Sequence, residues 1–561
     1  MMTTARKGNK GTVYLGNKGT VYLILSELGK LSPYFLSLLF LPAICLAEAV
    51  NFDEQSITIA LTQEPPNLNT METTDLVSFF VLGHTMEGLT RYDQRGRLVA
   101  GVAESWELGD LEATFRLRKN ARWSDGRPVT AHDFVFAWQH IVDPASAAPY
   151  ASIHYPILNA QAIHKGAKPV STLGVSAPDD LTLKVSLQNQ CGYFLKLMAH
   201  AAFFPVRQDF FNQQQERYAA EAGNLLYNGP FKLVDWVHGA SLTMQKNYDY
   251  WDAWQINLEE IKVGYITADN RARLNLFRDN RIALVRLDGE TIKDAAKQRL
   301  KVRTFVTGGV AFLRFNFMKG SPTENLHIRR AIQAVFNPDL FVNRIMAIPG
   351  YKPAHSFFPS WLAGVDDKFQ REYPVEPAQI DELRARELIS TAREELTVDR
   401  IPELVLLTVA SPTGNKISEF LQGLLKAKLG IDLRIDSQTF KQYLAKSRNG
   451  EFDLLLSSWF PDFDDIMTYA DLLGSGNANN RGGYVSEQYD EWLQILQGAS
   501  DQRVRMDAAA ELQKIIMDEV MVLPMAETGS AYTQHSQLRG VVRRVLGADP
   551  DYTYAEVIEY E

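Results

Sequence analysis

At 561 residues the chain is too long to bury a single hydrophobic core, so we expect two or three domains. Hydrophobic residues make up 46% of the chain and charged residues 22%, which argues against a disordered chain and against a membrane protein. The formal net charge of -9 argues against a nucleic-acid partner, which would require a basic surface.

The first 49 residues have the composition of an export signal. Lys30 precedes an apolar stretch at 33–47, which is too short to span a bilayer. The small residues Ala47 and Ala49 form a small-x-small cleavage site. We expect cleavage near Ala47 or Ala49, a mature protein that starts near Val50, and a periplasmic location.

The chain has two cysteines, Cys45 and Cys191. Cys45 follows Ile44, where the signal of a lipoprotein normally has a small residue, so we expect no lipid anchor. Cleavage of the signal leaves Cys191 without a partner for an intramolecular disulfide. A small buried apolar group is the favoured interpretation of this side chain.

Periodic patterns predict the first elements of the mature chain. Residues 56–62 and 113–118 alternate between apolar and polar side chains, which predicts two strands. The first strand ends at the turn-rich segment 64–69. Thr130 and Asp133 have the spacing of a capping box, and apolar residues follow at helical spacing. We therefore expect a strand, a turn and a capped helix in the stretch from Ala113 to Ile141.

The middle of the chain predicts a hairpin, and the last third predicts a β-α-β-α-β unit. Residues 231–236 and 242–246 form the two strands of the hairpin. In the last third, strands are expected at 403–409, at 431–435 and from Phe452 onward, with a helix in each interval. This order predicts a mainly parallel sheet.

The last of these strands changes character at its carboxyl end. An apolar run from Phe452 leads to Trp459, and Pro461 ends the strand because it has no N–H for the ladder. Carboxyl ends of strands face the binding crevice in open α/β sheets. An aromatic ring beside the Asp462 carboxylate can hold an amine there. The alternative is that Trp459 belongs to the core and that Asp462, Asp464 and Asp465 begin a solvated helix.

The sequence contains no sharp catalytic or metal-binding motif. GxSxG, HExxH and GxxxxGK[ST] are all absent. His132 and His140 lie eight residues apart on one predicted helix, where ordinary surface or core positions are the favoured interpretation. We expect no catalytic residue, no cofactor and no metal.

A resemblance to a known family begins in the block 103–151. WSDGRPVTAHDFVFAW at 123–138 and VDPASAAPYA at 142–151 resemble the signature of the family 5 extracellular solute-binding proteins of ABC importers, and most closely the oligopeptide-binding branch. The similarity continues through four further stretches, at 228–236, 247–251, 329–332 and 450–453.

The resemblance implies an α/β fold, the type II, cluster C periplasmic-binding-protein clamshell, with two lobes and an extra domain inserted in the first lobe. It implies the following segments: signal 1–49, first lobe 50–85, inserted domain 86–205, first lobe 206–308, second lobe 309–525 and first lobe again 526–561.

The resemblance also implies a peptide site. In relatives that bind peptides, an Asp three residues after the strand-end Trp takes the α-ammonium of the ligand, and strand-end backbone groups pair with its main chain. These positions are Asp462 and Trp459 here. The ligand-binding residues that we expect are Asp462, Trp459, Ser458, Phe460, Glu64, Tyr150, Glu527, Lys416 and Arg448.

Three departures from the family pattern concern this site. Phe460 and Gly309 occupy the two positions at which relatives often carry a disulfide. Glu527 stands where relatives have an aromatic residue. Leu456 stands where some relatives have an Arg that binds the ligand carboxylate. Here that carboxylate is either not bound by a side chain or bound by Lys416 or Arg448.

We therefore expect a monomeric periplasmic receptor that captures short peptides and delivers them to an inner-membrane ABC permease and its ATPase subunits. One alternative is the same fold with a non-peptide solute, such as a metal chelate or an oligosaccharide. A more distant alternative is an exported hydrolase.

Overall fold

The computed structural model describes residues 14–15, 21–22, 48–477 and 479–559. The chain divides into two compact units, residues 1–47 and residues 48–561. In the first unit, strands β1 (Tyr14–Leu15) and β2 (Val21–Tyr22) pair antiparallel. The apolar stretch of the predicted export signal, including Ala47, lies outside the described residues. Ala49 belongs to the second unit, is fully buried, and donates its N–H to the carbonyl of Asn280 at 2.9 Å.

The described strands of the second unit, in chain order, are β3 (Val50–Asn51), β4 (Ser56–Leu61), β5 (Thr90–Tyr92), β6 (Leu98–Ala100), β7 (Ala103–Leu108), β8 (Glu112–Leu117), β9 (Val175–Asp179), β10 (Thr182–Ser186), β11 (Phe231–Val237), β12 (Ser241–Lys246), β13 (Glu260–Ile266), β14 (Leu284–Leu287), β15 (Arg303–Phe315), β16 (Lys352–Pro353), β17 (Leu404–Val409), β18 (Leu433–Gln438), β19 (Leu454–Trp459), β20 (Val522–Gln534), β21 (Leu538–Arg539) and β22 (Glu556–Val557).

The described α-helices, in chain order, are α1 (Leu76–Thr85), α2 (Ala131–Val142), α3 (Ala160–His164), α4 (Phe194–Leu197), α5 (Gln208–Gln214), α6 (Asn270–Arg278), α7 (Thr291–Lys297), α8 (Leu326–Val335), α9 (Pro338–Leu340), α10 (Phe369–Glu372), α11 (Glu382–Leu396), α12 (Pro412–Leu429), α13 (Phe440–Asn449), α14 (Met467–Ala470), α15 (Glu487–Gly498) and α16 (Gln502–Asp518). No described helix has both the length and the apolar composition that crossing a membrane requires.

A five-stranded sheet joins the start of this unit to its middle. Its order is β11-β12-β13-β4-β3, in which β13 and β4 are parallel and the other neighbours antiparallel. The alternating residues of β4 are almost all buried, so the strand predicted at 56–62 is confirmed. The predicted hairpin is also confirmed, because β11 pairs with β12 from Phe231 opposite Lys246 to Val237 opposite Ser241.

The block that carries the family-like motifs forms a separate antiparallel sheet with α2 beside it. The strand order is β7-β8-β10-β9. The predicted capping box begins α2, since the Asp133 carboxylate accepts the N–H of Thr130 at 2.9 Å. Asp133 also accepts the indole N–H of Trp123 at 3.1 Å, which joins the turn to the helix. The predicted succession of strand, turn and capped helix is confirmed.

The largest sheet has the order β14-β20-β15-β19-β17-β18, with β16 added beside β20. The predicted β-α-β-α-β unit is present, because β17 is parallel to both β18 and β19. The prediction of a mainly parallel sheet is wrong, however. The long strands β15 and β20 pair antiparallel with each other, and β15 is also antiparallel to β19. These partners come from distant parts of the chain, which a local pattern cannot indicate.

Strands β15 and β20 run side by side for most of their length. Their register shifts between Val306 and Val310, where Gly308 has a φ of 79° that suits a residue without a side chain. The carbonyl of Gly308 accepts the indole N–H of Trp361 at 3.1 Å and the hydroxyl of Tyr469 at 2.5 Å. The segment limits that we expect at 308/309 and 525/526 fall inside these two strands.

The two faces of the largest sheet belong to different cores. Helices α8, α11 and α12 cover one face through the buried residues Leu313, Phe315, Leu404, Leu406, Leu454, Ile328, Ala385 and Leu421. On the opposite face, Val310 and Phe312 pack with Ile466, Met467 and Tyr469, and Trp459 lies against the same core. Trp459 therefore lies on the face of the sheet opposite to α8, α11 and α12.

Cys191 is buried, with 7% of its surface exposed, and burial raises the pKa of its thiol to about 12. Its interpretation as a small buried group is confirmed.

Candidate functional site

The carboxyl end of β19 has one edge without a strand partner. Antiparallel pairing with β15 extends along all of β19 and places Trp459 opposite Val310. On the other edge, β17 pairs only with Leu454 and Leu455. In the part of the chain that the structure describes, no strand pairs with that edge at 456–459. An extended ligand can add its main chain there as a further strand.

Asp462 lies just beyond this edge, after Pro461. Its carboxylate accepts a hydrogen bond from the Tyr150 hydroxyl at 3.1 Å. No described Lys, Arg or His lies within ion-pair distance of it. Burial therefore raises the pKa of Asp462 to about 6, and the same burial, together with the charge of Asp462, raises the pKa of Tyr150. The structure brings together two residues that are 312 positions apart in sequence.

Thr468 on α14 fixes the geometry of this strand end. Its hydroxyl oxygen accepts the main-chain N–H of Asp462 at 3.2 Å and the indole N–H of Trp459 at 3.4 Å. Thr468 itself is buried, so the turn between the strand and the helix is held from inside the protein. Nothing in the local sequence pattern distinguishes this threonine from a surface residue of α14.

Asp465 has a different environment from Asp462, although only three residues separate them. It is buried and forms a bidentate ion pair with Arg505, with oxygen to nitrogen distances of 2.5 and 3.0 Å. Lys196 adds a third contact at 3.4 Å. Burial alone would raise the pKa of Asp465, but the two cations outweigh it and hold the pKa below its ordinary value. The interpretation of Asp465 as a solvated helix-start acid is therefore wrong.

Asp464 is not fully solvated either. It is half-buried, and burial raises the pKa of its carboxyl. Of the three acids after Pro461, Asp465 is thus neutralised by ion pairs, while Asp462 lies in the protein without a cation.

The 86–205 segment closes over this turn. The ring of Tyr193 stacks on that of Phe463, with centroids 4.9 Å apart and planes 11° apart. Tyr150 and Lys196 of the same segment reach Asp462 and Asp465. The turn after the strand is therefore in contact with the 86–205 segment on one side.

Ser458 and Phe460 flank Trp459. Ser458 is exposed, and Phe460 keeps 38% of its surface exposed. A Cβ atom added at Gly309 would lie only 2.8 Å from the Phe460 ring, so these two positions are in direct contact. The aromatic ring occupies the space that a side chain at 309 would need.

Glu527 lies in the same row of the sheet as Trp459. Val310 is opposite Trp459 on one side and opposite Glu527 on the other, and directly opposed residues point to the same face. The Glu527 carboxylate is buried and accepts both the N–H and the hydroxyl of Ser360, at 2.8 and 2.7 Å. Glu527 is therefore near the strand end, but both of its carboxylate oxygens already accept hydrogen bonds from Ser360.

The remaining expected site residues do not contact Asp462. The Glu64 carboxylate accepts the indole N–H of Trp236 at 3.0 Å, and it also bonds His238 and the N–H of Gly239. The Glu64 carboxylate is thus held by three partners within the protein. Lys416 is exposed on the first turns of α12, and Arg448 is exposed on the last turn of α13.

Comparison with known proteins identifies the family. Residues 97–481 match the bacterial extracellular solute-binding proteins, family 5 Middle. This match covers more than half of the chain. The chain is a family 5 extracellular solute-binding protein.

Relatives of this binding protein share its length as well as its fold. It is 28% identical over 473 residues to the dipeptide-binding protein DppE of Bacillus subtilis, covering 84% of this chain and 86% of that protein. It is 31% identical to the substrate-binding domain of an oligopeptide ABC transporter from Bacillus anthracis, with a TM-score of 0.78, 90% of this chain covered and 99% of the other. Listeria monocytogenes OppA bound to peptide is 28% identical, with a TM-score of 0.78 and coverage of 90% and 100%. The binding protein therefore has the two-lobed clamshell fold of this family.

In this binding protein, the residues that sequence reasoning missed are those that organise the charges. The turn after β19 is held by three side chains from other elements: Thr468 accepts a hydrogen bond from Trp459, and Arg505 and Lys196 contact Asp465. Their roles depend on tertiary contacts, so no spacing in the sequence could indicate them. The described residues contain no cluster of three or more His, Cys, Asp or Glu suited to a metal ion.

Proposed function

We propose that this binding protein is a periplasmic receptor that captures short peptides between its lobes and delivers them to an inner-membrane ABC permease and its ATPase subunits. The names of its relatives support this ligand class, since they include a dipeptide-binding protein and an OppA bound to peptide. The observation that carries the proposal is the half-buried Asp462 carboxylate, which lies beside a free strand edge and has no cation among the described residues.

Asp462 binds the α-ammonium group of the peptide. A buried carboxylate without a cation is energetically costly, and a ligand amine removes that cost by a charge-assisted hydrogen bond. Tyr150 donates to one carboxylate oxygen and leaves the other available to the amine. The alternatives of a metal chelate or an oligosaccharide do not supply this group by necessity, whereas every unmodified peptide does.

The free edge of β19 binds the peptide main chain. Pairing with main-chain groups at 456–459 does not depend on ligand side chains, so one site accepts many sequences. Trp459 lies at the end of this edge, and its ring borders the first ligand residues. Selectivity among peptides then comes from groups farther along the ligand.

Closure of the lobes takes place about β15 and β20. Both strands are long enough to run from one lobe to the other, and their register shifts at Gly308, where the ladder is interrupted. A ligand that contacts both lobes stabilises only the closed state, so peptide binding shifts the population toward it.

The receptor is exported to the periplasm, and its signal is cleaved, before it binds peptides. Of the two expected cleavage positions we choose Ala47, so that the mature protein starts at Glu48 and not at Val50, because cleavage after Ala49 would remove the buried main-chain contact between Ala49 and Asn280. The mature receptor is monomeric.

Mass spectrometry of the ligand that co-purifies with the protein from the periplasm tests this function. We expect a mixture of short peptides with free amino termini. A synthetic peptide from that mixture should also return intact after long incubation, since a receptor does not cleave its ligand. Recovery of a single non-peptide solute, or of cleaved peptide, would contradict the proposal.

A further inference from the structure

Besides Tyr150, two side chains of the 86–205 segment contact the turn after β19. The ring of Tyr193 lies almost parallel to that of Phe463, with centroids 4.9 Å apart. The Nζ of Lys196 lies 3.4 Å from the carboxylate of Asp465. We call these two contacts, Tyr193 with Phe463 and Lys196 with Asp465, the latch. It joins parts of the chain that are about 270 positions apart.

The turn itself is fixed within its own part of the chain. Arg505 on α16 forms the bidentate ion pair with Asp465. Thr468 on α14 accepts the main-chain N–H of Asp462. These partners all belong to the 309–525 segment. The turn can therefore keep its conformation when the 86–205 segment moves away, and the latch is the part that breaks.

The latch is largely removed from solvent. Tyr193 is 5% exposed and Asp465 is 4% exposed, and the side chain of Lys196 keeps 29% of its surface. Burial raises the pKa of the neighbouring Asp464 carboxyl, and the charge of Lys196 opposes that rise. Lys196 therefore balances negative charge at two positions of the turn. Since ion pairing is stronger at buried positions than in water, the latch stabilises the arrangement in which the two segments are in contact.

The backbone before Tyr193 lies directly against α16. A Cβ atom added at Gly192 would lie 3.0 Å from the Cδ atom of Arg505. The adjacent Cys191 is 7% exposed and within electrostatic range of Arg505 and Asp465. Residues 191–193 thus lie in the contact between the two segments. Cys191 is also the only cysteine outside the predicted export signal, so its thiol is a single chemical probe of this contact.

We propose that Lys196 and Tyr193 are positioning residues of the peptide site, which set the affinity for every peptide by holding the 86–205 segment against the turn that carries Asp462. They act through Phe463 and Asp465 and not by contact with the ligand. The peptide amine binds Asp462 on one segment, and the latch keeps the other segment closed over it. This role rests on the proposed function and identifies the contact that holds the closed state.

The latch and the amine anchor affect peptide binding in different ways. The apparent affinity of a ligand that binds only the closed state is proportional to the closed fraction of the free protein. In a free protein that is mainly open, loss of the latch lowers this fraction, and so lowers the affinity for all peptides by one common factor. Loss of the amine anchor affects only peptides with a free amine. The ratio of the affinities for a free and an N-acetylated peptide therefore distinguishes a positioning residue from Asp462.

Titration calorimetry on Lys196→Met with a free tripeptide and its N-acetylated form tests the latch. We expect both affinities to fall by about 3-fold to 10-fold with their ratio unchanged, because a partly exposed ion pair is lost. Lys196→Glu places a like charge beside Asp464 and Asp465 and should lower both affinities further. Lys196→Arg should restore them. Lys184→Met, at an exposed position of β10 in the same segment, is the matched control and should bind as the parent does.

Alkylation of Cys191 by iodoacetamide reports the opening of the latch. Saturating free tripeptide should slow the reaction in the parent, because the thiol is covered in the closed state. At the same saturation, Lys196→Met should react about 3-fold to 10-fold faster than the parent, since its closed complex opens more often. Lys184→Met should react at the parental rate.

The outcomes separate this role from the proposed function. A parent that prefers the free tripeptide, together with a Lys196→Met protein that has the parental affinities and the parental alkylation rate, overturns the latch and leaves the amine site intact. A loss of affinity that is confined to the free tripeptide also overturns the latch, because Lys196 then acts on the amine itself. A parent that binds neither peptide, and whose Cys191 neither peptide protects, refutes the proposed function and the latch with it.

Discussion

Asp462→Asn is expected to stabilise the unliganded protein. The carboxyl has a pKa of about 6 in the folded protein against an ordinary value of 3.8, so the folded state holds the proton more tightly than the unfolded state. The ionised carboxylate therefore lowers stability progressively as the pH rises from about 4 to about 6, and the full cost remains at neutral pH. A difference of about two pKa units corresponds to about 3 kcal/mol, and partial solvent access reduces the expected gain to about 1–3 kcal/mol.

The same substitution should weaken peptide binding. Loss of one member of a buried charged pair costs about 2–5 kcal/mol, which corresponds to roughly 30-fold to several thousand-fold in affinity. Binding by the parent should also require an ionised Asp462 and a protonated amine, so the affinity should be highest between about pH 6 and pH 8. The variant should lose the decline in affinity on the acid side of that range.

Urea unfolding at pH 4 and pH 7 measures the first effect, and titration calorimetry over the same pH range measures the second. A gain in stability that is present at pH 7 and absent at pH 4, together with a loss of affinity, is the expected result. An Asp462→Asn protein that is less stable at pH 7 and binds peptide as tightly as the parent would refute the reasoning.

Three further predictions concern the surrounding structure. Asp465→Asn should lower the free energy of unfolding by about 3–5 kcal/mol, because it leaves the buried Arg505 unpaired. Asp464→Asn should lower it by less than about 1 kcal/mol. Urea unfolding that shows equal losses for the two variants would contradict this prediction. N-terminal sequencing of the exported protein should find Glu48 first, because the contact from Ala49 to Asn280 is then kept; a start two residues later would contradict it. Small-angle scattering should show compaction at saturating peptide, and unchanged dimensions would argue against lobe closure.

Local patterns were sufficient for the elements but not for their assembly. The capping box at Thr130 and the alternation in β4 depend only on nearby residues, and both predictions are confirmed. The mixed order of the largest sheet could not be predicted in this way. Strands β15 and β20 begin at Arg303 and Val522, which are 219 positions apart, and periodicity within each strand carries no information about its partner.

The candidate site could be located from the sequence, but its charges could not be assigned. Pro461 after an apolar run marks a strand end, which is a local signal. The three acids that follow look alike in sequence. Only the fold distinguishes Asp465 from Asp462. Asp465 forms an ion pair with Arg505, whereas Asp462 accepts a hydrogen bond from Tyr150 and has no cation beside it among the described residues.

Titration calorimetry at pH 7 with a free tripeptide and its N-acetylated form tests the central claim most directly. The account predicts that acetylation weakens binding to the parent by roughly 30-fold or more, because Asp462 loses its only cation, and that Asp462→Asn binds both forms with similar low affinity. If the parent binds the free and the acetylated peptide equally tightly, Asp462 does not hold the ligand amine and the account is wrong.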